Sequence, residues 1–581
     1  MTTLKRARPT ARAAAAYTLR QRSTYIMAGV LLLLGFYFVY PILLLVIYSF
    51  NVAPEVFVGA PEWGLDNWRV AFTKPGIFRA VWNSFFIWGL TFAVSMPVGI
   101  VIAWTLARTR IPWSHGIEFA FWVAYMIPGL ATTIGWIMLL DPQVGIINTF
   151  AERLPFVDGP IFNIYSIAGI WFSSLMGNGI VLKVMILTPY FRNMDANMEE
   201  AARVSGASNL MTMLRVTLPL MATPIVLVTA LQLLRIFQSF ETELLLGTPI
   251  GFFVYSTFIY ELVTQEPPKY GQATVLASIT MAIIALIIPL QRWIIYRARY
   301  TTITATFRGG LIDLGAWKVP VLAAIFILLA ALSVFPLAAL LLGSFMSRAG
   351  LFELIPTYTT EHWVTVLTDP VFIRAVRTTM VLGLIAAIAS PLLFSLLAYI
   401  IVRTNWRGRG TLDWMIWASG AIPGLLSGLG LLVMFLGTPG LAVLYGTIWA
   451  LLLVVIISGN TSGTNIMKGT FVQVGQDMED AARISGAGWI RTYYTIWIPL
   501  TMKTLVLLAV FNFTGAAGAT SSIILLASRD TMTLSILALE YRLSSANQEA
   551  ASITAIILML ITVGLGWAVR AYGLRQGVRH Q

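Results

Sequence analysis

Ionisable side chains inside a short apolar segment are the first candidates for chemistry in this sequence. The segment, LQLLRIFQSFETELLLG, covers residues 231–247. Its polar residues are spaced by three, four and three, so a helix places them on one face. A charge inside a membrane costs at least about 2.5 kcal/mol unless it meets a partner or a wet cavity. We therefore predict that this face turns inward; it consists of Gln232, Arg235, Ser239 and Thr242, with Gln238 and Glu241 beside it.

A second polar pattern occurs twice in the chain. MEEAARVSGASNLMTMLRVTLPL covers residues 198–220, and MEDAARISGAGWIRTYYTIWIPL, at an offset of 280, covers residues 478–500. Each copy has a capping side chain at its start, and Gly206 or Gly486 follows nine residues after that cap. Each is therefore predicted to form a two-turn helix, a left-handed glycine elbow and a second, amphipathic helix.

Paired alanines in these short helices allow another surface to approach the backbone closely. An amphipathic connector explains one such loop well, but it explains two matching copies poorly. Other loops of the chain, such as residues 108–114 and 403–409, have diverged much further. We infer that both copies meet the same kind of partner; the alanines are Ala201, Ala202, Ala481 and Ala482.

The residues that catalysis or nucleotide binding requires do not occur in useful patterns. The chain has no cysteine, its three histidines are scattered, and it contains no Gly-Lys dipeptide. A phosphate-binding loop needs its lysine after glycine, so the chain is not expected to hydrolyse ATP. We expect no enzymatic activity, no cofactor and no metal site, and energy must come from a partner or an ion gradient.

Composition indicates an all-α integral membrane protein. Of 581 residues, 58% are hydrophobic and 11% charged, whereas soluble domains carry about 25% charged residues. We count about twelve apolar runs of the roughly 20 residues that a span needs. The net charge of +13 follows the positive-inside rule if both termini are cytoplasmic. The basic residues therefore indicate a lipid bilayer rather than a nucleic acid as the partner.

The sequence repeats beyond the polar loops. Segments AVWNS and AVRTT, AWTLART and AYIIVRT, and two IPGL segments match at an offset of 295. About six spans separate the copies, so the repeats are parallel. The Ile-Pro-Gly matches at 127–129 and 422–424 predict kinked spans. About 15 extra residues of the first half are assigned to the external loop 141–163.

This organisation predicts two six-helix repeats joined in the cytoplasm. The predicted parts are a basic cytoplasmic tail (1–24), a first membrane half (25–296), a cytoplasmic linker (297–318), a second membrane half (319–570) and a cytoplasmic C-terminal tail (571–581).

The repeated loop resembles the EAA loop of binding-protein-dependent ABC importer permeases. The matching residues are Glu200, Ala201, Ala202, Gly206 and Pro219 in the first copy, and Asp480, Ala481, Ala482, Gly486 and Pro499 in the second. Asp480 departs from the usual glutamate, which keeps the charge and shortens its reach. Two halves in one chain are similar to the fused ferric-iron permeases and the related thiamine permeases.

The resemblance implies a type I importer permease in a bacterial inner membrane. Its EAA helices would seat in two copies of a cytoplasmic ATPase subunit, and a periplasmic binding protein would deliver the solute. The resemblance also places the fifth span of each half along the translocation path. Ferric iron is the best guess for the solute, although thiamine, polyamine, phosphonate and sugar permeases share the loop. The second-half positions matching the polar face are Asn512, Gly515, Ala519 and Ser522.

Two alternatives to an importer remain at this point, and one question about the polar face. An ion-coupled secondary transporter would favour ionisable residues inside spans, and a membrane enzyme would need a cluster of acids, bases or metal ligands.

For the polar face, Arg235 and Glu241 either line a cavity for a charged or strongly polar solute, or Arg235 pairs with Glu241 or a nearby carbonyl to hold the helices together.

Overall fold

The computed structural model describes residues 22–194, 197–297, 311–475, 477–544 and 547–575. Within these ranges the chain is helical, apart from loops and three isolated β-bridges. Nearly all of the predicted N-terminal tail, most of the predicted linker and the last six residues lie outside the described residues.

Twelve membrane spans, six in each half, account for the long apolar helices. Within the described residues, seven single helices are long and apolar enough to cross a membrane, and the number rises to 13 if each bent pair of helices forms one span. One bent pair, Glu241–Ile250 with Tyr255–Thr264, has no counterpart among the spans of the second half. Without it, each half has six spans, and the predicted fold of two six-helix repeats is confirmed.

The spans follow one another in the same order in both halves. The first-half spans are Ala28–Tyr48, Pro75–Arg108, Ser114–Met126 with Gly129–Leu140, Ile167–Gly177 with Val181–Arg192, Met213–Leu220 with Ala222–Phe237, and Tyr270–Ile287. The second-half spans are Gly315–Phe345, Pro370–Arg403, Arg409–Gly420 with Gly424–Gly437, Ile448–Gln473, Trp489–Leu500 with Met502–Ala517, and Gln548–Ala568.

Shorter helices connect the spans. In the first half they are Asp66–Thr73, Ile146–Ala151, Asn197–Val204, Glu241–Gly247 and Tyr255–Thr264; in the second half they are Glu361–Thr368, Asp477–Ile484 and Leu534–Leu543.

The third span of each half bends sharply at its Ile-Pro-Gly triplet. The two segments meet at 92° in the first half and at 109° in the second. Ile127 and Ile422 are extended, with ψ of 123° and 124°, because a residue before proline avoids the helical region. The predicted kinks are therefore confirmed.

The first span of each half packs against the third span of the other half. Phe335–Phe345 lies on Gly129–Leu140, and Tyr40–Tyr48 lies on Gly424–Gly437. Glycine permits the contact, because a Cβ at Gly135 would lie 2.5 Å from the carbonyl oxygen of Pro336. The two halves therefore share one core.

The extra residues of the first half lie in two places. The connection between the third and fourth spans covers residues 141–166 in the first half and only 438–447 in the second, which agrees with the predicted insertion. One further residue is accommodated by a π-helical turn, Leu175–Gly179, inside the fourth span. The matching helix of the second half, Ile448–Gln473, is continuous.

Candidate functional site: two coupling loops and a polar cavity

The two repeated loops fold in the same way. Asn197–Val204 and Asp477–Ile484 are two-turn helices followed by glycines with positive φ, 88° at Gly206 and 80° at Gly486. In the first copy the amide of Ala207 donates to the carbonyl of Ala202 at 3.0 Å, as in a Schellman motif. The predicted left-handed elbow is therefore present in both copies.

Each of these two short helices, Asn197–Val204 and Asp477–Ile484, which we name the coupling helices, exposes an apolar face. Val204 is 89% exposed and Ile484 is 87% exposed, and Met198 and Met478 are both more than half exposed. Ala201 and Ala481 lie between them and are exposed, Ala202 and Ala482 are partly buried, Glu200 is partly buried, and Asp480 is exposed. Neighbouring apolar side chains exposed at a polar loop are typical of a protein–protein contact.

The first coupling helix is anchored by a buried ion pair that the sequence analysis missed. Arg108, at the end of the second span, donates from Nε to Glu199 Oε2 at 3.0 Å. The hydroxyl of Thr217 donates to the other carboxylate oxygen at 2.6 Å. Arg108 is 6% exposed and Glu199 is 1% exposed. The repeat did contain the signal, because both residues recur as Arg403 and Glu479.

The second coupling helix uses the same positions with different chemistry. Arg403 donates to the backbone carbonyls of Phe471 and Val474, and its guanidinium lies 4.4 Å from the ring centroid of Trp497. Trp497 occupies the position that Thr217 has in the first half. Glu479 is 4% exposed and accepts a hydrogen bond from the Tyr399 hydroxyl at 3.4 Å.

A polar cavity of about 330 Å³ lies within the first half. It brings together all six polar residues that the sequence pattern picked out between positions 231 and 247. The second-half positions Asn512 and Ser522 do not line it. Its polar lining residues are Ser84, Thr91, Ser173, Ser174, Lys183, Gln232, Arg235, Gln238, Ser239, Glu241, Thr242 and Glu243.

The predicted continuous helix through residues 231–247 is wrong. The helix of the fifth span gives way to a 3₁₀ turn, Leu234–Phe237, and a new helix begins at Glu241. Irregular backbone is tolerated at membrane depth where it lines a cavity and finds partners. Here the hydroxyl of Ser256 donates to the carbonyl of Ser239. The polar residues therefore face the cavity together because the helix is interrupted at residues 238–240. They do not share one face of a continuous helix.

The charges in the cavity are not paired with each other. The ion pairs within the described ranges are Arg108–Glu199, Arg192–Glu118 and Lys468–Asp413, so Arg235 and Glu241 do not form the structural pair considered above. Arg235 is exposed. Glu241 is partly buried and lines the same cavity.

Two further charged residues line the cavity: Lys183, which was missed from the sequence, and Glu243, which lies in the predicted segment but outside its polar face. The ammonium of Lys183 donates to the carbonyl of Gly179 at 2.6 Å and lies 5.9 Å from the ring centroid of Phe92. Glu243 accepts from the hydroxyls of Ser239 and, at 3.3 Å, Ser174. A lone lysine within the apolar run IVLKVMIL was the available signal for Lys183.

Comparison with known proteins gives the family. A family model described as binding-protein-dependent transport system inner membrane component matches residues 95–300 and again residues 380–577. A probable ABC transporter permease protein, y4fN, of Sinorhizobium fredii is 26% identical over 75% of this chain and 76% of its own length. The ferric transport system permease protein FbpB of Actinobacillus pleuropneumoniae is 24% identical over 94% of this chain and 78% of its own length.

One chain of a solved bacterial ABC transporter involved in the import of alginate is 18% identical to this chain. The alignment covers 48% of this chain and 96% of the solved chain, with a TM-score of 0.41. The family model covers most of the sequence and matches each half once, which confirms the predicted fused organisation. The chain therefore belongs to the family of multi-pass inner-membrane permeases of binding-protein-dependent transport systems, with two permease halves in one polypeptide.

Proposed function

We propose that this chain forms the translocation path of an ABC importer for a small polar or charged solute. Two copies of a separate ATPase subunit drive transport, and a periplasmic binding protein delivers the solute. The observation that carries the proposal is the pair of matching coupling helices, each with an exposed apolar face and a glycine elbow. An ion-coupled secondary transporter has no use for two such helices, and the family membership does not favour it.

The coupling helices are the proposed ATPase contacts. Their exposed methionine and β-branched side chains suit clefts on a partner, and the small alanines let that partner approach the backbone. The proposed contact residues are Glu200, Ala201, Ala202 and Gly206, together with Asp480, Ala481, Ala482 and Gly486. Because Asp480 is the shorter acid and is more exposed than Glu200, removing each charge should have unequal effects on ATPase binding.

The polar cavity is the proposed part of the path that meets the solute. Gln232, Arg235, Ser239, Glu241 and Thr242 line it. Asn512 and Ser522 do not line this cavity, and we propose that they belong to the second-half wall of the path. Ferric iron is the best candidate for the transported element, because the relative that aligns with 94% of this chain is named a ferric transport permease.

Membrane orientation follows from charge. We propose that both termini, both coupling loops and the linker between the halves are cytoplasmic, because basic residues concentrate there. The coupling loops would then face the ATPase, and the connection at residues 141–166 would face the binding protein.

The test is reconstitution with defined partners. The chain is placed in proteoliposomes with an ABC ATPase subunit and a periplasmic binding protein from the same organism, and uptake of the binding protein's ligand is measured. We expect uptake that requires ATP, the ATPase and the binding protein together. Uptake driven by a proton or sodium gradient without the ATPase would contradict the proposal and favour a secondary transporter.

A further inference from the structure

We propose that the polar cavity of the first half binds an anion, a small solute carrying carboxylate or phosphate groups, between Lys183 and Arg235. This inference rests on the proposed function and names the class of solute. For a ferric solute it means an anionic chelate and not the bare cation.

The two cations of the cavity face the same space and lack carboxylate partners. Lys183 and Arg235 both line the cavity. Neither forms an ion pair within the part of the chain that the structure describes. Lys183 gives one hydrogen bond to a backbone carbonyl, and an ammonium has three donors. Lys183 is 2% exposed, and a buried cation without a carboxylate partner at membrane depth is costly unless an anion or water compensates it.

The two carboxylates of the cavity do not pair with these cations within the described residues. Glu243 accepts hydrogen bonds from the hydroxyls of Ser239 and Ser174 through one oxygen, Oε1. The cationic donors that the cavity offers to a solute are therefore those of Lys183 and Arg235.

Comparison of the two halves shows that this charge set is a local feature and not a requirement of the fold. At the offset of 280, the positions of Lys183, Arg235, Glu241 and Glu243 are occupied in the second half by Gly463, Gly515, Ser521 and Ile523. The second half forms the same spans without any of the four charges, so helix packing does not explain them.

The clearest difference between the halves is an exchange of large and small residues. In the first half Lys183 packs over Gly99, where an added Cβ would lie 2.7 Å from the Cβ of Lys183. In the second half the matching positions are Gly463 and Phe394, and the Phe394 ring fills the space beside the glycine. The place that a phenyl ring fills in one half therefore carries an ammonium in the other.

The first half also has a backbone feature that makes room beside this ammonium. The π-helical turn Leu175–Gly179 adds one residue to the fourth span, and Gly177 inside it has non-helical angles. Gly177 and Gly179 line the cavity. π-helical turns of this kind are frequent at functional sites.

Direct binding of simple anions to the purified chain tests the inference. The full chain in lipid nanodiscs is titrated with citrate and with inorganic phosphate at constant ionic strength, and the dissociation constant is measured. We expect Lys183→Met and Arg235→Gln each to weaken binding by about ten- to a hundred-fold, as expected for loss of one hydrogen bond to a charged group. Lys183→Arg keeps the charge and should bind within a few-fold of the wild type.

Matched variants outside the cavity control for charge and stability. Lys503→Met and Arg529→Gln remove the same charges from exposed second-half positions and should bind like the wild type. Unchanged binding in Lys183→Met and Arg235→Gln would overturn the proposal, as would failure of the wild type to bind either anion at millimolar concentration. Binding of a multivalent metal cation that is lost in Glu243→Gln and retained in Lys183→Met would also overturn it.

This titration needs neither ATPase nor binding protein. A negative result therefore removes the anion site and leaves the importer proposal, which reconstituted ATP-dependent uptake tests separately. Conversely, anion binding without ATP-dependent uptake would support the site and contradict the proposed function.

Discussion

Replacing Gly486 with alanine isolates the contribution of the left-handed elbow to ATPase docking. Gly486 has φ of 80°, and a Cβ at this position would meet nothing within 4 Å. Steric overlap with neighbours therefore adds nothing to the effect, and the backbone conformation alone is responsible. A residue with a Cβ pays about 1–2 kcal/mol in this conformation. That cost lowers the population of the correctly formed elbow by about 5- to 30-fold.

Gly488 provides a matched control two residues away. It has φ of −69°, which any residue adopts, and a Cβ there would also meet nothing within 4 Å. Gly488→Ala should therefore have no effect on docking. Asparagine visits the left-handed region more readily than alanine, so Gly486→Asn should fall between Gly486→Ala and the wild type.

The assay is the affinity of the purified chain in nanodiscs for the isolated ATPase subunit. We expect about 5- to 30-fold weaker binding for Gly486→Ala, with unchanged insertion into the membrane, and an unchanged affinity for Gly488→Ala. A bulky β-branched residue at both Gly206 and Gly486 should abolish coupled uptake. Equal affinities for the Gly486 and Gly488 alanine variants, or full uptake by the double variant, would refute the reasoning.

Four other outcomes are expected. Glu199→Gln leaves Arg108 buried without its charged partner and should lower the free energy of unfolding by about 3–5 kcal/mol, measured as a lower Tm. The control Arg192→Gln breaks an exposed ion pair and should cost less than about 1 kcal/mol. Equal Tm values for the two variants would argue against the buried anchor. Gly463→Ala places a Cβ against the Phe394 ring and should destabilise the chain by about 1–3 kcal/mol. Gly469→Ala lies in open space on the same helix and should stabilise the chain by about 0.5–1 kcal/mol. The Tm of each variant in lipid is measured, and a higher Tm for Gly463→Ala than for Gly469→Ala would be inconsistent with this packing. Arg235→Gln and Glu241→Gln should each lower uptake while ATPase assembly and basal ATP hydrolysis persist; failure of both to accumulate in the membrane would assign them a structural role. Reporter fusions should place Gly206 and Gly309, the latter outside the described residues, in the cytoplasm and Asp66 and Asp158 outside; a cytoplasmic signal at Asp158 would contradict the orientation.

Repetition made much of this fold predictable from sequence. The repeated loop sequences predicted the coupling helices and the left-handed glycines that end them, because a capped two-turn helix ending in glycine is specified by local residues. The Ile-Pro-Gly triplets gave the kinks for the same reason. Local chemistry at each position was sufficient in these cases, and the second copy showed which features the chain retains.

Features that depend on distant partners were not predictable. Spacings of three and four between Gln232 and Thr242 fit a continuous helix, and they gave no sign of the break at residues 238–240. Within that break the carbonyl of Ser239 accepts a hydrogen bond from the hydroxyl of Ser256, 17 residues further along the chain. Arg235 was predictable because polar residues recur around it at helical spacing, whereas Lys183 has no such neighbours in its span and was not predicted. The anchor between Arg108 and Glu199 joins residues 91 positions apart, although each recurs in the repeat.

The packing of each first span against the opposite half has a mechanical consequence. Phe335–Phe345 lies on Gly129–Leu140, and Tyr40–Tyr48 lies on Gly424–Gly437, with glycines at the closest approach. A rigid body that includes the third span of one half must carry the first span of the other half with it. We therefore expect that the bodies that move during the proposed transport cycle do not coincide with the two sequence repeats, and that cutting the chain at the linker would leave two fragments that stay packed together.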